Sequence, residues 1–283
     1  MSSRGYVLYF EGDTLIHKFD PRTKIILMLY FVALAFIFNH PIHLGIVLLV
    51  ALAIWFYAKI PMREVSTVYK YVYGTLALII VIQALAFPEG LEILRLIPPN
   101  PLLGNVGALT VDGIVYGIAI SERILIIMLI GPLVIYTTPL DRLILGMIKL
   151  KVPYTLTFIM STALNLLPSV QIEVKNIQEA QMARAFTKLE TGSFTERMRA
   201  YIPLMVPLIV SEIRSSTLLS LAMSARAFGV AKKRTFYYEI IMTTKDKVTV
   251  AILIISLAIL VYLRVFYGFG YYERLSDLLR ILW

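Results

Sequence analysis

The arginines most suited to binding chemistry in this sequence lie inside two copies of the same tetrapeptide. Ala-Arg-Ala-Phe occurs at 183–186 and again at 225–228. Each arginine continues an apolar pattern with helical spacing, which predicts that it lies near the C-terminal end of a helix, on the side that packs. A guanidinium presents a planar fork of donors suited to carboxylates or backbone carbonyls, and small alanine neighbours let another surface approach closely. This geometry suits docking of both arginines into a groove of a partner.

Spacing alone leaves two other interpretations of these arginines open. Both side chains could simply favour the negative end of a helix or extend to lipid phosphates. Each could also form an ion pair within the chain, with a glutamate such as Glu179 or Glu212.

Other residues with chemical capability are few. Glu122 and Arg123 lie inside a long apolar run, where ionisable residues indicate function by default, and we expect them to contact neighbouring polar groups or another subunit within the membrane. The sequence has three histidines, no cysteine and no H-E-x-x-H pair, so we expect no metal site and no thiol nucleophile. It also lacks a phosphate-binding G-x-x-x-x-G-K-[ST] loop. We therefore predict neither an ATPase nor another enzyme, and no cofactor.

The composition places the chain in a membrane. Of its 283 residues, 59% are hydrophobic and only 16% are charged, whereas soluble domains have about 45–50% apolar and about 25% charged residues. Such an excess of apolar side chains needs lipid as its solvent. We predict an all-α polytopic membrane protein with about five transmembrane helices and a layer of amphipathic helices at the cytoplasmic face.

Apolar runs and loop charges predict the topology. The expected spans are 21–39, 42–58, 71–87, 111–136 and 248–267. Lys and Arg flank the first span and follow the second, while the 88–110 loop has Arg95 as its only basic residue. Because basic residues stay in the cytoplasm, the N-terminus is predicted to be cytoplasmic, and the 88–110 loop and the C-terminus exterior.

Positive charge is concentrated between the last two spans. Residues 139–247 contain 15 Lys and Arg but only 8 Asp and Glu, and we read this block as cytoplasmic rather than as a nucleic-acid-binding surface. Two apolar segments within it, 152–168 and 201–210, have basic sequence on both sides. We expect them to be helices at the membrane boundary or packed beneath it, with the first bounded by its prolines.

Helix boundaries follow from local signals. Asp20 is predicted to cap the first span, with Pro21 in the first helical position. In the same way, Thr138 is predicted to cap a surface helix that begins at Pro139. Gly229 offers a helix stop after the second arginine.

Several motifs in order resemble a known family. They are "DPRTK" before the first span, "TTPLDRL" at the start of the basic block, "LNLLPSVQIEVKNIQEAQMARAF" and "MSARAFG". Together they resemble the transmembrane T component of energy-coupling-factor transporters, the EcfT/CbiQ family. The resemblance extends along nearly the whole chain and is densest from about 137 to 230.

The resemblance implies a function and a set of partners. In that family, an arginine-centred three-residue motif ends each of two coupling helices and inserts into one of two ABC-type ATPase subunits, identical or homologous. A separate small membrane subunit binds the substrate, and the T component transmits ATP-driven motion to it in the prokaryotic plasma membrane. This implies uptake of a vitamin or a transition-metal ion; the alternative is a self-contained secondary transporter or channel. The ATPase-binding residues carried over are Ala183, Arg184, Ala185, Ala225, Arg226 and Ala227.

The same reasoning divides the chain into three parts. We expect an N-terminal cytoplasmic segment with four transmembrane helices in 1–138, and a cytoplasmic coupling domain in 139–245. The last transmembrane helix and an exterior tail form 246–283. Partners are predicted to be the lipid bilayer and the other transporter subunits, with no nucleic acid.

Overall fold

A computed structural model shows a chain built mainly of α-helices that forms two compact units. It describes residues 9–10, 12–60, 62–86, 92–95, 107–184, 195, 201–230, 240–268 and 270, with side chains described outside 62–71 and 95. We call Tyr6–Leu150 with Ile240–Trp283 the core unit, and Met1–Gly5 with Lys151–Glu239 the hairpin unit.

The core unit contains most of the helices. They are α1 (Leu15–Lys18), α2 (Pro21–Ile37), α3 (Pro41–Tyr57), α4 (Met62–Ala86), α5 (Val111–Thr137), α6 (Leu140–Lys149) and α9 (Thr244–Tyr267). The hairpin unit contains α7 (Tyr154–Ala183) and α8 (Ile202–Ala225). Two short strands, β1 (Glu92–Arg95) and β2 (Ala108–Thr110), pair antiparallel in the predicted exterior loop.

The apolar core of the core unit forms around α5. This helix packs against α2, α3 and α4, and α9 packs against α2. Ile126, Ile130 and Leu133 recur on one face of α5 at helical spacing and are almost fully buried. They belong to one cluster with Trp55 of α3 and Leu34 of α2. Many large apolar side chains on the outer faces stay exposed, as expected for helices whose solvent is lipid.

The all-α membrane fold predicted from the sequence is confirmed. In the described part of the chain, four helices are long and apolar enough to span a membrane: α5, α7, α8 and α9. Two shorter apolar helices, Pro41–Tyr57 and Val72–Ala86, correspond to predicted spans. The first predicted span is α2, which has 17 residues. The count of five spans stays a prediction.

The two apolar segments of the basic block are parts of longer helices. The segment 152–168 was expected to end at its prolines, but Pro168 lies inside α7, which continues to Ala183. Likewise, 201–210 is the first part of α8. A proline inside a helix removes one backbone hydrogen bond, and the long apolar face of α7 stabilises the helix on both sides of that gap.

The helix signals predicted for the start of α2 are confirmed, whereas those predicted for the start of α6 and the end of α8 are wrong. Asp20 accepts a hydrogen bond from the Arg22 amide at 2.9 Å, and Pro21 opens α2. However, α6 begins one residue later than predicted, at Leu140, and Thr138 does not cap it. The Thr138 hydroxyl instead accepts a hydrogen bond from the side chain of Lys24. The helix stop also precedes Gly229, because α8 already ends at Ala225.

Candidate functional site

The helices of the hairpin unit run antiparallel. Near the start of α7, the ring of Phe158 lies 4.7 Å from the ring of Phe228, which follows the end of α8. Further along, the Ser211 hydroxyl of α8 donates a hydrogen bond of 3.0 Å to the Glu173 carboxylate of α7. The C-terminal ends of α7 and α8 are therefore at opposite ends of the pair. From the helical rise of about 1.5 Å per residue, these ends are about 40 Å apart.

Each of the two arginines is the C-cap residue of one of these helices. Arg184 follows α7 with φ −88° and ψ 19°, and Arg226 follows α8 with φ −95° and ψ 18°. Both backbone amides donate a hydrogen bond of 3.1 Å to the carbonyl three residues earlier, those of Gln181 and Met223. The predicted location at helix ends is thus confirmed, and both ends have the same local geometry.

Both arginine side chains are exposed. Within the described part of the chain, neither guanidinium has a hydrogen-bond or ion-pair partner. Glu179, considered above as a partner for an arginine, instead faces Lys175 at a nitrogen–oxygen distance of 3.9 Å. The pair of helices α7 and α8 therefore exposes one guanidinium at each end, where another molecule can bind it.

The apolar stripe that leads to the first arginine is the packing face of α7. Val170, Val174, Ile177 and Gln181 are all partly buried, while Arg184, the next step, is exposed. The stripe predicted before Arg226 is weaker: Met223 is partly buried, but Leu219 and Ala222 are exposed. Both arginines thus extend beyond the packed region of the helix pair.

The alanines of the two motifs are only partly described. Ala183 ends α7 and Ala225 ends α8, and both are exposed. Ala227 adopts a left-handed conformation with φ 54°. Its amide donates to the Ser224 carbonyl at 3.0 Å, and the Phe228 amide donates to the Met223 carbonyl at 3.0 Å. These two bonds define the Schellman ending of a helix. Ala185 lies outside the described residues.

The intramembrane residues Glu122 and Arg123 do not pair with each other. The Arg123 guanidinium donates to the carbonyls of Ala35 at 2.7 Å and Phe38 at 3.0 Å, and to the Asn39 side chain at 3.0 Å. Arg123 thereby satisfies carbonyls that the C-terminal end of α2 leaves unpaired.

Glu122 has a different environment. Its Oε2 atom is buried and accepts no hydrogen bond from any residue that the structure describes. On α3, a Cβ atom added at Gly45 would lie 3.4 Å from its Oε1 atom. The carboxylate therefore lies close to the backbone of α3, and its buried Oε2 atom has no donor among the described residues.

A polar cluster that sequence reasoning did not find surrounds the first turn of α2. We call residues 20–24 the α2 anchor. Lys24 is buried, and its ammonium donates to the Thr137 carbonyl at 2.8 Å, the Thr138 hydroxyl at 2.9 Å and the His17 carbonyl at 3.2 Å. These three acceptors match the three protons of an ammonium. Burial, together with the positive charge of Lys24, lowers the pKa of the His17 imidazole.

The α2 anchor also binds the start of α9. The Asp20 amide donates to the Asp246 carboxylate at 3.0 Å, and Asp246 is itself buried. Asp246 forms a capping box with Thr243, whose amide donates to it at 3.0 Å. The Arg22 side chain donates to the Ile240 carbonyl at 3.3 Å. One turn of α2 therefore contacts the chain just before α9 and the first turn of that helix.

Close packing adds α6 to the same cluster. A Cβ atom at Gly146 would lie only 2.9 Å from the Cβ atom of Pro21, so even an alanine there would force a shift. The sequence signal for this cluster was the presence of "DPRTK" and "TTPLDRL" at helix ends. Spacing could not show that these motifs touch, because more than 100 residues separate Lys24 from Thr137.

The chain matches a family of transport proteins. The model of the CbiQ family, described as cobalt transport protein, matches residues 12–238. The chain belongs to the CbiQ family. The resemblance drawn from the motifs is confirmed, and this member of the family is a transmembrane transport component rather than an enzyme.

Relatives of this CbiQ-family chain have one name in common. The "Energy-coupling factor transporter transmembrane protein EcfT" of Bacillus subtilis (strain 168) is 30% identical over 266 residues, covering 90% of this chain and 96% of that protein. The protein of the same name from Acidaminococcus fermentans is 28% identical over 265 residues, covering 90% and 95%. That from Limosilactobacillus fermentum is 29% identical over 253 residues, covering 86% and 91%.

The absence of a metal site in this CbiQ-family chain stays a prediction. No group of three or more His, Asp or Glu side chains there is arranged to hold a metal ion. His40 and His43 lie with ring centroids 5.4 Å apart at the start of α3, where the His40 ring caps the helix by accepting from the Ile42 amide.

Replacing Ala227 with glycine is expected to stabilise the chain. A left-handed conformation costs an L-residue with a Cβ atom about 1 kcal/mol, and glycine avoids most of that cost. We expect Ala227→Gly to raise the free energy of unfolding of the hairpin unit by about 0.5–1 kcal/mol and Ala227→Val to lower it by at least as much. Thermal unfolding of the purified chain in detergent measures both. Ala222→Gly, inside exposed α8, is the matched control and should destabilise instead; stabilisation there as well would contradict this account of Ala227.

Proposed function

We propose that this chain is the transmembrane coupling subunit of an energy-coupling factor importer. Two ABC-type ATPase subunits, identical or homologous, bind the two helix ends, and their ATP-driven movement passes to a separate small substrate-binding membrane subunit. The cargo class is a vitamin or a transition-metal ion. Family membership and the shared name of the relatives support the transporter type.

One observation supports the coupling role most strongly. Each of the two antiparallel helices ends in an exposed arginine, and both arginines have the same backbone geometry. The helical rise places these two arginines about 40 Å apart. A single binding site of ordinary size does not reach both ends, since a standard interface covers only about 800 Å² per partner. Two partners, each receiving one arginine, fit this separation. The proposed ATPase-binding residues are Arg184 and Arg226 with their flanking alanines.

Glu122 is our candidate contact for the substrate-binding subunit. A buried carboxylate oxygen without a donor is costly, and a donor from a neighbouring membrane helix would offset that cost. Arg123 has less need of a partner because three oxygens of its own chain already bind it.

The coupling domain is proposed to lie in 139–245, between a membrane part in 1–138 and a last span in 246–283. Most of this range is the hairpin unit, while α6, its first helix, packs on α2 in the core unit. We propose that the N-terminus and 139–245 face the cytoplasm of a prokaryotic cell and that the C-terminus is exterior.

Single cysteines will test this orientation. The natural chain has no cysteine, so Val230→Cys and Tyr267→Cys each introduce one thiol, at side chains that are 79% and 74% exposed. A membrane-impermeant maleimide is expected to label position 267 in intact cells, and position 230 only after the cells are permeabilised. The cysteine-free chain is the blank. Labelling of position 230 in intact cells would place the hairpin unit outside.

Co-purification tests the proposed function itself. The chain is extracted in detergent with its native partners, and proteins that co-purify are identified by mass spectrometry. We expect an ABC-type ATPase pair and one small hydrophobic protein, and we expect Arg184→Ala with Arg226→Ala to lose the ATPases. If the wild-type chain purifies alone and takes up Co²⁺ or biotin in vesicles without ATP, a self-contained secondary transporter replaces the coupling subunit.

A further inference from the structure

Two neighbouring cavities lie beside α1 in the core unit. The first has a volume of about 480 Å³ and lies among α1, the first part of α2 and the second half of α3. The second has a volume of about 770 Å³ and lies between the chain before α1 and the end of α3. Tyr57 lines both of them. Each volume is within the range of about 300–1,000 Å³ in which proteins bind small molecules.

The first cavity, which we call the apolar cavity, has mainly aliphatic and aromatic walls. Its lining includes Leu15, Phe19, Val50 and Ile54, and Leu15 and Val50 are 50% and 48% exposed. Lys24 also borders this cavity, but its ammonium already donates to three oxygens of the chain. The apolar cavity therefore suits a hydrocarbon chain rather than a polar ligand.

The second cavity, which we call the polar cavity, has one charge of each sign. Among the described residues, the charged side chains that line it are Asp13 and Lys59, and both are exposed. His17 lines it as well, but burial and the positive charge of Lys24 lower the pKa of its imidazole, which is therefore neutral at neutral pH. A ligand that matches the polar cavity has both a negative and a positive group.

The segment that contains Asp13 is fixed on both sides. On one side, the Phe10 amide donates a hydrogen bond of 2.9 Å to the Tyr136 carbonyl of α5. On the other, Gly12 packs so closely on the His17 ring that an added Cβ atom would lie 2.7 Å from its Cε1 atom. The carboxylate of Asp13 is thus borne by an ordered part of the chain.

Lys59 has a backbone conformation that favours glycine. Its φ of 54° is left-handed, and its amide donates to the Phe56 carbonyl at 3.0 Å. Glycine adopts this conformation without the steric cost that a Cβ atom imposes. Because backbone strain of this kind clusters at binding sites, a lysine at this position is consistent with the use of its charge.

We propose that the two cavities together form a binding site for one zwitterionic phospholipid of the phosphatidylethanolamine type. One acyl chain occupies the apolar cavity, the phosphate pairs with Lys59 and the headgroup ammonium pairs with Asp13. An anionic phospholipid fits less well, since its headgroup brings no positive group to Asp13. The cavities lie where α2 begins and α3 ends, at the membrane boundary, so a lipid reaches them from the bilayer. This binding is independent of the coupling function proposed above.

Lipid competition tests the site. The purified chain is incubated in detergent with equal amounts of phosphatidylethanolamine and phosphatidylglycerol, and native mass spectrometry counts the lipids bound to each chain. We expect one phosphatidylethanolamine per chain. Ala53→Trp fills part of the apolar cavity and should weaken binding roughly tenfold or more, because each buried methylene contributes about a fourfold gain in affinity. Ala251→Trp, at an exposed position on α9, is the matched control and should bind as the natural chain does.

Lys59→Gly separates binding from stability. We expect it to weaken phosphatidylethanolamine binding roughly tenfold, since the phosphate loses its charged partner. Without lipid, its unfolding temperature should equal or exceed that of the natural chain, because glycine suits the left-handed conformation. Lys18→Met removes an exposed neighbouring lysine that is not part of either lining, and it should change neither quantity. Unchanged lipid binding by Lys59→Gly would contradict the proposed role of this lysine.

Reversal of the acidic charge should reverse the preference. Asp13→Lys gives the polar cavity two positive charges, so this variant is expected to select phosphatidylglycerol. The proposal is overturned if the natural chain selects phosphatidylglycerol, retains both lipids equally or retains neither, or if Ala53→Trp binds lipid as tightly as the natural chain. These measurements need neither ATPase nor cargo. A failure of ATPase binding would therefore contradict the proposed function without affecting the test of the lipid site.

Discussion

Charge reversal at both arginines, Arg184→Glu with Arg226→Glu, is expected to abolish binding of the ATPase subunits and leave the chain folded. An arginine at the centre of an interface commonly contributes 2 kcal/mol or more, which is about a 30-fold loss of affinity for each removal, and an acidic replacement adds repulsion. Folding should be unaffected, since both side chains are exposed and neither guanidinium has a partner in the described part of the chain.

The single variants make this prediction sharper. Because the two ends are about 40 Å apart by the helical rise, Arg184→Glu should release one ATPase subunit and keep the other, and Arg226→Glu should do the same at its own end. Native mass spectrometry of the purified complex measures the number of ATPase subunits per chain. Arg214→Glu, at an exposed position within α8, is the charge-matched control and should retain both. Retention of both ATPase subunits by the double variant would contradict the proposed role of the arginines in ATPase binding.

Removal of the Arg123 guanidinium, as in Arg123→Met, is expected to destabilise the core unit by about 2–4 kcal/mol. The change leaves the Ala35 and Phe38 carbonyls and the Asn39 side chain without their donor, at the end of a helix that already has unpaired carbonyls. The cation also lies 5.6 Å from the centre of the Phe36 ring. Thermal unfolding of the chain alone in detergent measures the loss.

Lys149→Met is the control for this variant, because Lys149 is an exposed base at the end of α6. Its unfolding temperature should match that of the natural chain. The experiment also decides between two roles for Arg123. An unchanged unfolding temperature combined with loss of the small membrane subunit would show that Arg123 serves subunit contact and that its bonds to α2 contribute little.

Sequence patterns predicted those features that depend on neighbouring residues. Apolar residues recur every three or four positions at Val170, Val174 and Ile177. Because a helix has 3.6 residues per turn, residues at this spacing lie on one face, which packs. The same logic located both arginines at helix ends, and the structure confirms it. Asp20 and Pro21 could be read as a helix start because a cap acts on amides only two or three residues away.

Predictions failed where tertiary contacts competed with local ones. Thr138 has the residue type of a helix cap, yet its hydroxyl accepts from Lys24. Pro168 is a common boundary residue, but it lies inside α7. Neither outcome can be read from a short stretch of sequence. The partner of Thr138 lies far away along the chain, and the helix that contains Pro168 extends well beyond that proline on both sides.

The sequence by itself determined the membrane environment, the helical class and the arginine-tipped helices, because composition and helical period act over short distances along the chain. Only the tertiary structure decided that α7 and α8 run antiparallel, which places Arg184 and Arg226 at opposite ends. It also decided that Lys24 binds residues 137 and 138. Such contacts form when apolar burial brings distant segments together, and buried polar groups then need whatever partners lie within reach.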